Sequence, residues 1–109
     1  MENLFDPVPA ELPEELMTDL LAVGGTRIER IVSRGHASPP GYWYDQDEAE
    51  WVVVLKGAAR LEIEAEGEKH MQPGDHVFLP AHCRHRVNWT DPDQDTVWLA
   101  VFIKPTQDA

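Results

Sequence analysis

Residues 73–87 read Pro73-Gly74-Asp75-His76-Val77-Phe78-Leu79-Pro80-Ala81-His82-Cys83-Arg84-His85-Arg86-Val87, and this stretch decides the fold. Pro73-Gly74-Asp75 has the chemistry of a tight turn. His76 to Leu79 then reads as a short β-strand. Pro80 bends the chain before a second strand that starts at His85. Side chains alternate across a strand, so His85, Val87 and Trp89 share one face while Arg86 and Asn88 take the other. His85 is therefore the histidine expected to point inward.

The pattern continues on both sides. Upstream, Trp51-Val52-Val53-Val54-Leu55 is a strand closed by Lys56-Gly57. Glu50 opens it and shares a face with Val52 and Val54, so valines that face a core carry Glu50 with them. A carboxylate in that position must be paired, hydrogen-bonded or bound to a cation, because an isolated buried charge is costly. Arg60-Leu61-Glu62-Ile63-Glu64-Ala65 alternates acid with aliphatic, and Glu66-Gly67 is a turn. Thr26 to Ser33 is a first strand, Gly35 to Gly41 a loop, and Lys69 to Gln72 a short strand. Thr96-Val97-Trp98-Leu99-Ala100-Val101-Phe102-Ile103 is apolar on both faces and needs cover on both. Six to eight such strands form an all-β, antiparallel β-barrel or jelly roll.

Ahead of them, Met1 to about Pro9 is an extended arm. Leu12, Leu16 and Leu20 fall four apart, Pro13 suits a first helical turn, and Gly24-Gly25 makes a stop. That spacing predicts one short helix packed on the barrel. The expected organisation is arm and helix over 1–25, barrel over 26–105 and a tail over 106–109.

Twenty acidic against nine basic residues give the 109-residue chain a formal charge of −11. A surface of that sign repels phosphate backbones, and no lysine or arginine cluster offsets it, so nucleic acid is not an expected partner. No apolar run reaches the roughly 20 residues of a membrane helix. Met1-Glu2-Asn3-Leu4-Phe5-Asp6 has no secretory character, and Cys83 is the only cysteine, so a reducing cytoplasm is the expected compartment.

Gly74, Pro80 and His85 stand at spacings that resemble the second motif of the cupins, with His82 in place of an inner glycine and Trp89 in place of an asparagine. Glu50 and Gly57 match the spacing of the first cupin motif. Its two histidines are absent: those positions fall on Tyr44 and Gln46, or on Trp43 and Asp45 for the longer gap. The resemblance runs from about Ile28 to Ile103. It implies a cupin barrel with Glu50 and His85 at metal-ligand positions.

An open metal site takes about three protein ligands. Gln46, Tyr44, Asp45 or His82 could complete the set. Tyr44 and Gln46 make it oxygen-rich, whereas His82 makes a two-histidine, one-carboxylate site for zinc, iron, nickel or manganese. The alternative is a metal-free barrel in which Glu50 and His85 hydrogen-bond each other. Trp43, Tyr44, Asp45 and Val52 are candidates for the wall of a ligand pocket. His36, His70 and His76 read as surface residues and Cys83 as a packed thiol. Three functions follow as expectations: a small cupin that binds a divalent metal and a small organic ligand; a metal-dependent dioxygenase, lyase or sugar isomerase or epimerase; and a metal-free sensor or structural barrel. The apolar last strand suits a homodimer.

Overall fold

The computed structural model describes residues 1–105, so the expected tail at 106–109 lies outside the described residues. Eight strands form: β1 (Leu16–Val23), β2 (Thr26–Ser33), β3 (Ala49–Lys56), β4 (Ala59–Ile63), β5 (Gly67–Met71), β6 (His76–Leu79), β7 (His85–Thr90) and β8 (Thr96–Ile103). They make a five-stranded sheet, β1-β2-β8-β3-β6, and a three-stranded sheet, β5-β4-β7, with every pairing antiparallel. The expected all-β barrel is what the chain adopts.

The predicted N-terminal helix is not there. Leu16 to Val23 is a strand, paired with β2 from Leu16↔Val32 to Val23↔Thr26. The physical reason is the turn. Gly24, at φ +58°, makes with Gly25 a two-residue hairpin connection, the geometry that a primed turn requires. Once the hairpin closes, the β2 edge offers Leu16–Val23 a ladder of partners, and long-range pairing overrides the weak helical preference of the segment. A register shift between Asp19 and Leu21 then breaks the alternation, leaving only Leu16 and Leu20 half-buried.

The core lies between the sheets. Val52 and Val54 from β3, Ala59, Leu61 and Ile63 from β4, Met71, Leu79, and Trp98, Ala100 and Phe102 from β8 are all buried. Alternation sends Leu99, Val101 and Ile103 of the same last strand outward. There the register builds one straight row across all five strands: Leu21↔Ile28↔Val101↔Trp51↔Phe78. Leu21 and Phe78, at its ends, stay 50% and 55% exposed. The N-terminal arm covers a different end of this outer face, where residues 5–10 meet Arg30, Arg34 and Val97 and the Arg30 guanidinium donates to the Asp6 carbonyl. No helix of the described residues is long and apolar enough to cross a membrane.

Candidate functional site

The interior faces of the two sheets enclose a cavity of about 260 Å³. That is just under the roughly 300–1,000 Å³ of common ligand pockets, so its occupant must be small. Val52, Leu61, Leu79, Val87, Trp98 and Phe102 supply an apolar floor. The polar wall is Tyr44, Gln46, Glu50 and His85 on one side and Glu15, Arg27 and Glu29 on the other.

Glu50 enters at the start of β3, opposite Leu79 on one neighbour and Phe102 on the other. His85 opens β7 and is held twice by backbone. Tyr44 N–H donates to the His85 carbonyl at 2.7 Å and His85 N–H to the Tyr44 carbonyl at 3.2 Å, an isolated bridge that ties the loop before β3 to the second sheet. The same bridge lays the Tyr44 ring on the His85 ring, centroids 5.4 Å apart and 23° from parallel. Both charged groups are nearly out of solvent, with Glu50 8% and His85 5% exposed.

His85 Nδ1 lies 2.8 Å from the Cys83 carbonyl, which can only accept, so Nδ1 carries a hydrogen. Nε2 is thereby turned to Glu50 Oε1, 3.5 Å away. In a neutral imidazole, that arrangement sets a nitrogen lone pair against a carboxylate lone pair. A hydrogen on Nε2 or on the carboxyl, or a bound cation, relieves that repulsion. Burial by itself lowers the His85 pKa, but the hydrogen bond to Glu50, the Cys83 carbonyl and the Glu50 charge outweigh it and raise it above the ordinary histidine value. Gln46 Nε2 donates to Glu50 Oε1 at 3.1 Å. Tyr44 has its phenol pKa raised, by burial first and then by the charges of Glu15, Tyr42 and Glu50, so it stays a neutral donor.

The donor set admits a divalent ion with a light hand. Among the described residues no three His, Cys, Asp or Glu side chains are placed to hold a metal ion together, so the third protein ligand would be an oxygen of Gln46 or Tyr44. The Cys83 carbonyl already does what outer partners of metal-bound histidines do, fixing the tautomer and the ring.

The remaining sequence candidates lie elsewhere. His82 is at the surface, its Nδ1 2.7 Å from Asp45 Oδ1 and its Nε2 3.1 Å from Asp47 Oδ1. The Asp45 hydrogen bond and charge, with Asp47 adding to them, raise its pKa above the ordinary value. Asp45 is thus turned away from the cavity. Trp43 lies under Arg84 and Arg86, whose guanidinium carbons are 5.5 and 5.9 Å from its ring centre, on the outer side of the loop. Tyr44, Gln46, Glu50, Val52 and His85 share the cavity; Trp43, Asp45 and His82 do not.

Sequence reasoning missed the opposite wall. Arg27 pairs with Glu29 and with Glu48, 2.9 Å away, while its guanidinium carbon sits 4.2 Å over the Phe102 ring. Burial opposes its charge, but Glu48, Glu29 and Asp19 raise its pKa. The Glu29 carboxyl is held above the usual range by burial, opposed by Arg27, with Asp19 adding to the rise. In Thr26-Arg27-Ile28-Glu29-Arg30-Ile31 both faces mix charge with apolar groups, so alternation could not say which faced inward. Arg27, Glu29 and Ile31 share a face with Ser33, but the contact that marks this face as inward, Ser33 Oγ with the buried Trp98 N–H, is visible only in the fold.

The model of the family described as Cupin domain matches residues 30–102. No curated protein matches the chain. Among solved structures, a candidate mannose-6-phosphate isomerase of Ralstonia eutropha JMP134 superposes with a TM-score of 0.92 at 50% identity, over 96% of this chain and 98% of that one. An RmlC-like cupin of Desulfovibrio desulfuricans gives 0.76 at 16% identity, over 97% of each chain. A cupin superfamily protein of Desulfitobacterium hafniense DCB-2 gives 0.73 at 15% identity, over 90% of this chain and 84% of that one. The last two speak to fold alone.

Proposed function

The chain belongs to the cupin family, and from that premise we propose that its barrel binds a divalent metal ion together with a small organic ligand. The observation that carries this reading is the Glu50–His85 pair, nearly buried, with the His85 tautomer fixed so that Nε2 faces the carboxylate. Glu50, His85 and Gln46 would hold the ion, with Tyr44 beside them. When bound, such an ion supplies Lewis acidity and orients the ligand. The rest belongs to the chain. Tyr44 donates a hydrogen bond, Glu50 takes or returns a proton at Oε1, and Trp98, Phe102 and Leu61 keep water from the floor.

A thermal-shift screen tests the reading with zinc, manganese, iron and nickel, each alone and with small hydroxy acids and sugars. Stabilisation by one metal, enlarged by one ligand class and lost in both Glu50→Gln and His85→Ala, supports it. Equal stabilisation of parent and variants counts against it.

A second reading, sugar isomerisation, is favoured by the half-identical Ralstonia relative, which this chain covers almost end to end. Moving a proton between neighbouring carbons needs a base, and Glu50 faces the cavity. A phosphorylated sugar would have to be met by Arg27, the one arginine among the cavity-lining residues, and would have to displace Glu29 and Glu48 from it. The acidic wall therefore favours an uncharged sugar over its phosphate. Incubation with mannose and with mannose 6-phosphate separates the two: turnover abolished by Glu50→Gln supports isomerisation, and faster turnover of the phosphate refutes the charge argument.

The proposed macromolecular partner is a second copy of the chain. The outer row runs from aliphatic Leu21 and Ile28 to aromatic Trp51 and Phe78, with Val101 at its centre. A two-fold axis parallel to β8 would set small against large along the whole row, at the ~10 Å spacing of packed sheets.

A further inference from the structure

The strongest clue beyond the cavity is a surface histidine with left-handed backbone that another loop grips on three sides. His82 has φ +60°, and no other non-glycine among the described residues has a positive φ. Left-handed backbone in a residue with a Cβ is strained, and strain persists where the surroundings impose it. Part of the cause is local: Cys83 N–H donates to the Pro80 carbonyl at 3.0 Å, which puts His82 at the third position of a turn that takes a left-handed residue. The rest of its surroundings are three consecutive residues of another loop. His82 N–H donates to the Gln46 carbonyl at 2.8 Å, while its two ring nitrogens meet Asp45 Oδ1 at 2.7 Å and Asp47 Oδ1 at 3.1 Å.

Asp45 and Asp47 are exposed, and Gln46 between them is half-buried and lines the cavity. Holding both aspartates outward leaves Gln46 directed inward, where its amide reaches Glu50 at 3.1 Å. Exposed ion pairs add little to stability, and these side chains are 48–86% exposed. Global stability is therefore a poor explanation for these paired contacts. We infer that His82 is a positioning residue: from outside the barrel it clamps residues 45–47 and so aims the Gln46 side chain at Glu50. This rests on the site proposed above, in which Gln46 completes the ligand set.

The test uses the full chain, freed of metal by chelation, as parent, His82→Gly, and the double variant Asp45→Ala/Asp47→Ala. Glycine takes the same backbone without strain and keeps the backbone hydrogen bond. The melting temperature should therefore stay close to the parent's in both variants. The Gln46 side-chain NH2 signals, followed by ¹⁵N NMR, should move toward free-amide positions in both, with faster water exchange. Zinc affinity should fall about tenfold, the lower end of what loss of an outer partner costs. Gln46 signals unchanged in either variant overturn the inference, whatever zinc does. Released Gln46 signals in a parent that binds no zinc uphold the clamp and sink the metal reading instead. A melting temperature that collapses in His82→Gly would mark His82 as a structural residue and also refute the clamp.

Discussion

Gly57 and Gly67 offer a matched test of how the β3–β4 connection fixes the site. Both are left-handed, at φ +89° and +92°. At Gly67 an added Cβ meets nothing within 4 Å. At Gly57 it would lie 2.5 Å from Thr96 Oγ1, 2.6 Å from Thr96 Cα and 2.7 Å from the Asp95 carbonyl oxygen. Two of those three atoms are backbone, of Thr96 at the start of β8 and of Asp95 just before it, so they cannot swing aside. Gly67→Ala should therefore cost only the left-handed strain, about 1–2 kcal/mol. Gly57→Ala carries that strain and adds overpacking of about 1–3 kcal/mol, for a total of about 2–5 kcal/mol. At roughly 4–8 °C per kcal/mol for a domain of this size, the excess of Gly57→Ala over Gly67→Ala should be at least ~4 °C in thermal melts followed by circular dichroism. Thr96 precedes Val97, which pairs with Lys56 at the far end of the strand that Glu50 opens, so the same variant should also weaken any ligand response of the site. Equal melting temperatures for the two variants would refute the close approach.

Other consequences are narrower. Ser33→Ala removes the buried acceptor of the Trp98 N–H and should cost about 1–3 kcal/mol; a melting temperature equal to the parent's contradicts this, and Trp98→Phe should cost less in the Ser33→Ala background than in the parent. In metal-free protein the raised His85 pKa stabilises the fold fully below the ordinary histidine value, and this contribution is lost as pH rises through the folded value. Chemical denaturation should therefore show stability falling more steeply across that window in the parent than in His85→Ala, where His82 alone remains raised, and a rise in the parent would reverse the assignment of the proton. Light scattering should report a dimer for the parent and a monomer for the Trp51→Lys/Phe78→Glu double variant with unchanged circular dichroism; a monomeric parent removes the proposed partner.

Much of the barrel was legible because turn residues bound its strands. Thr26–Ser33, His76–Leu79 and Thr96–Ile103 stand where turn residues and β-branched runs put them. The failure at Leu16–Val23 has a single origin. Gly-Gly after an apolar run is both a helix stop and a hairpin turn, and only the partner strand decides between them. On the site, alternation turns Glu50 and Val52 to one face because both belong to β3. It could not decide among Tyr44, Asp45 and Gln46, which precede the strand and are oriented by contacts from residues 82–85, nearly 40 positions away. Long-range pairing of that kind leaves no local trace. For the same reason His82 read as a possible ligand, since nothing nearby in sequence shows that two aspartates hold it outside.

Elemental analysis of protein purified without a metal-affinity tag, on the parent, Glu50→Gln and His85→Ala side by side, tests the central claim most directly. The account predicts one divalent ion per chain in the parent and none in either variant, with all three folded by circular dichroism. A parent without metal that also takes up none on addition, or variants that keep it, would contradict the account.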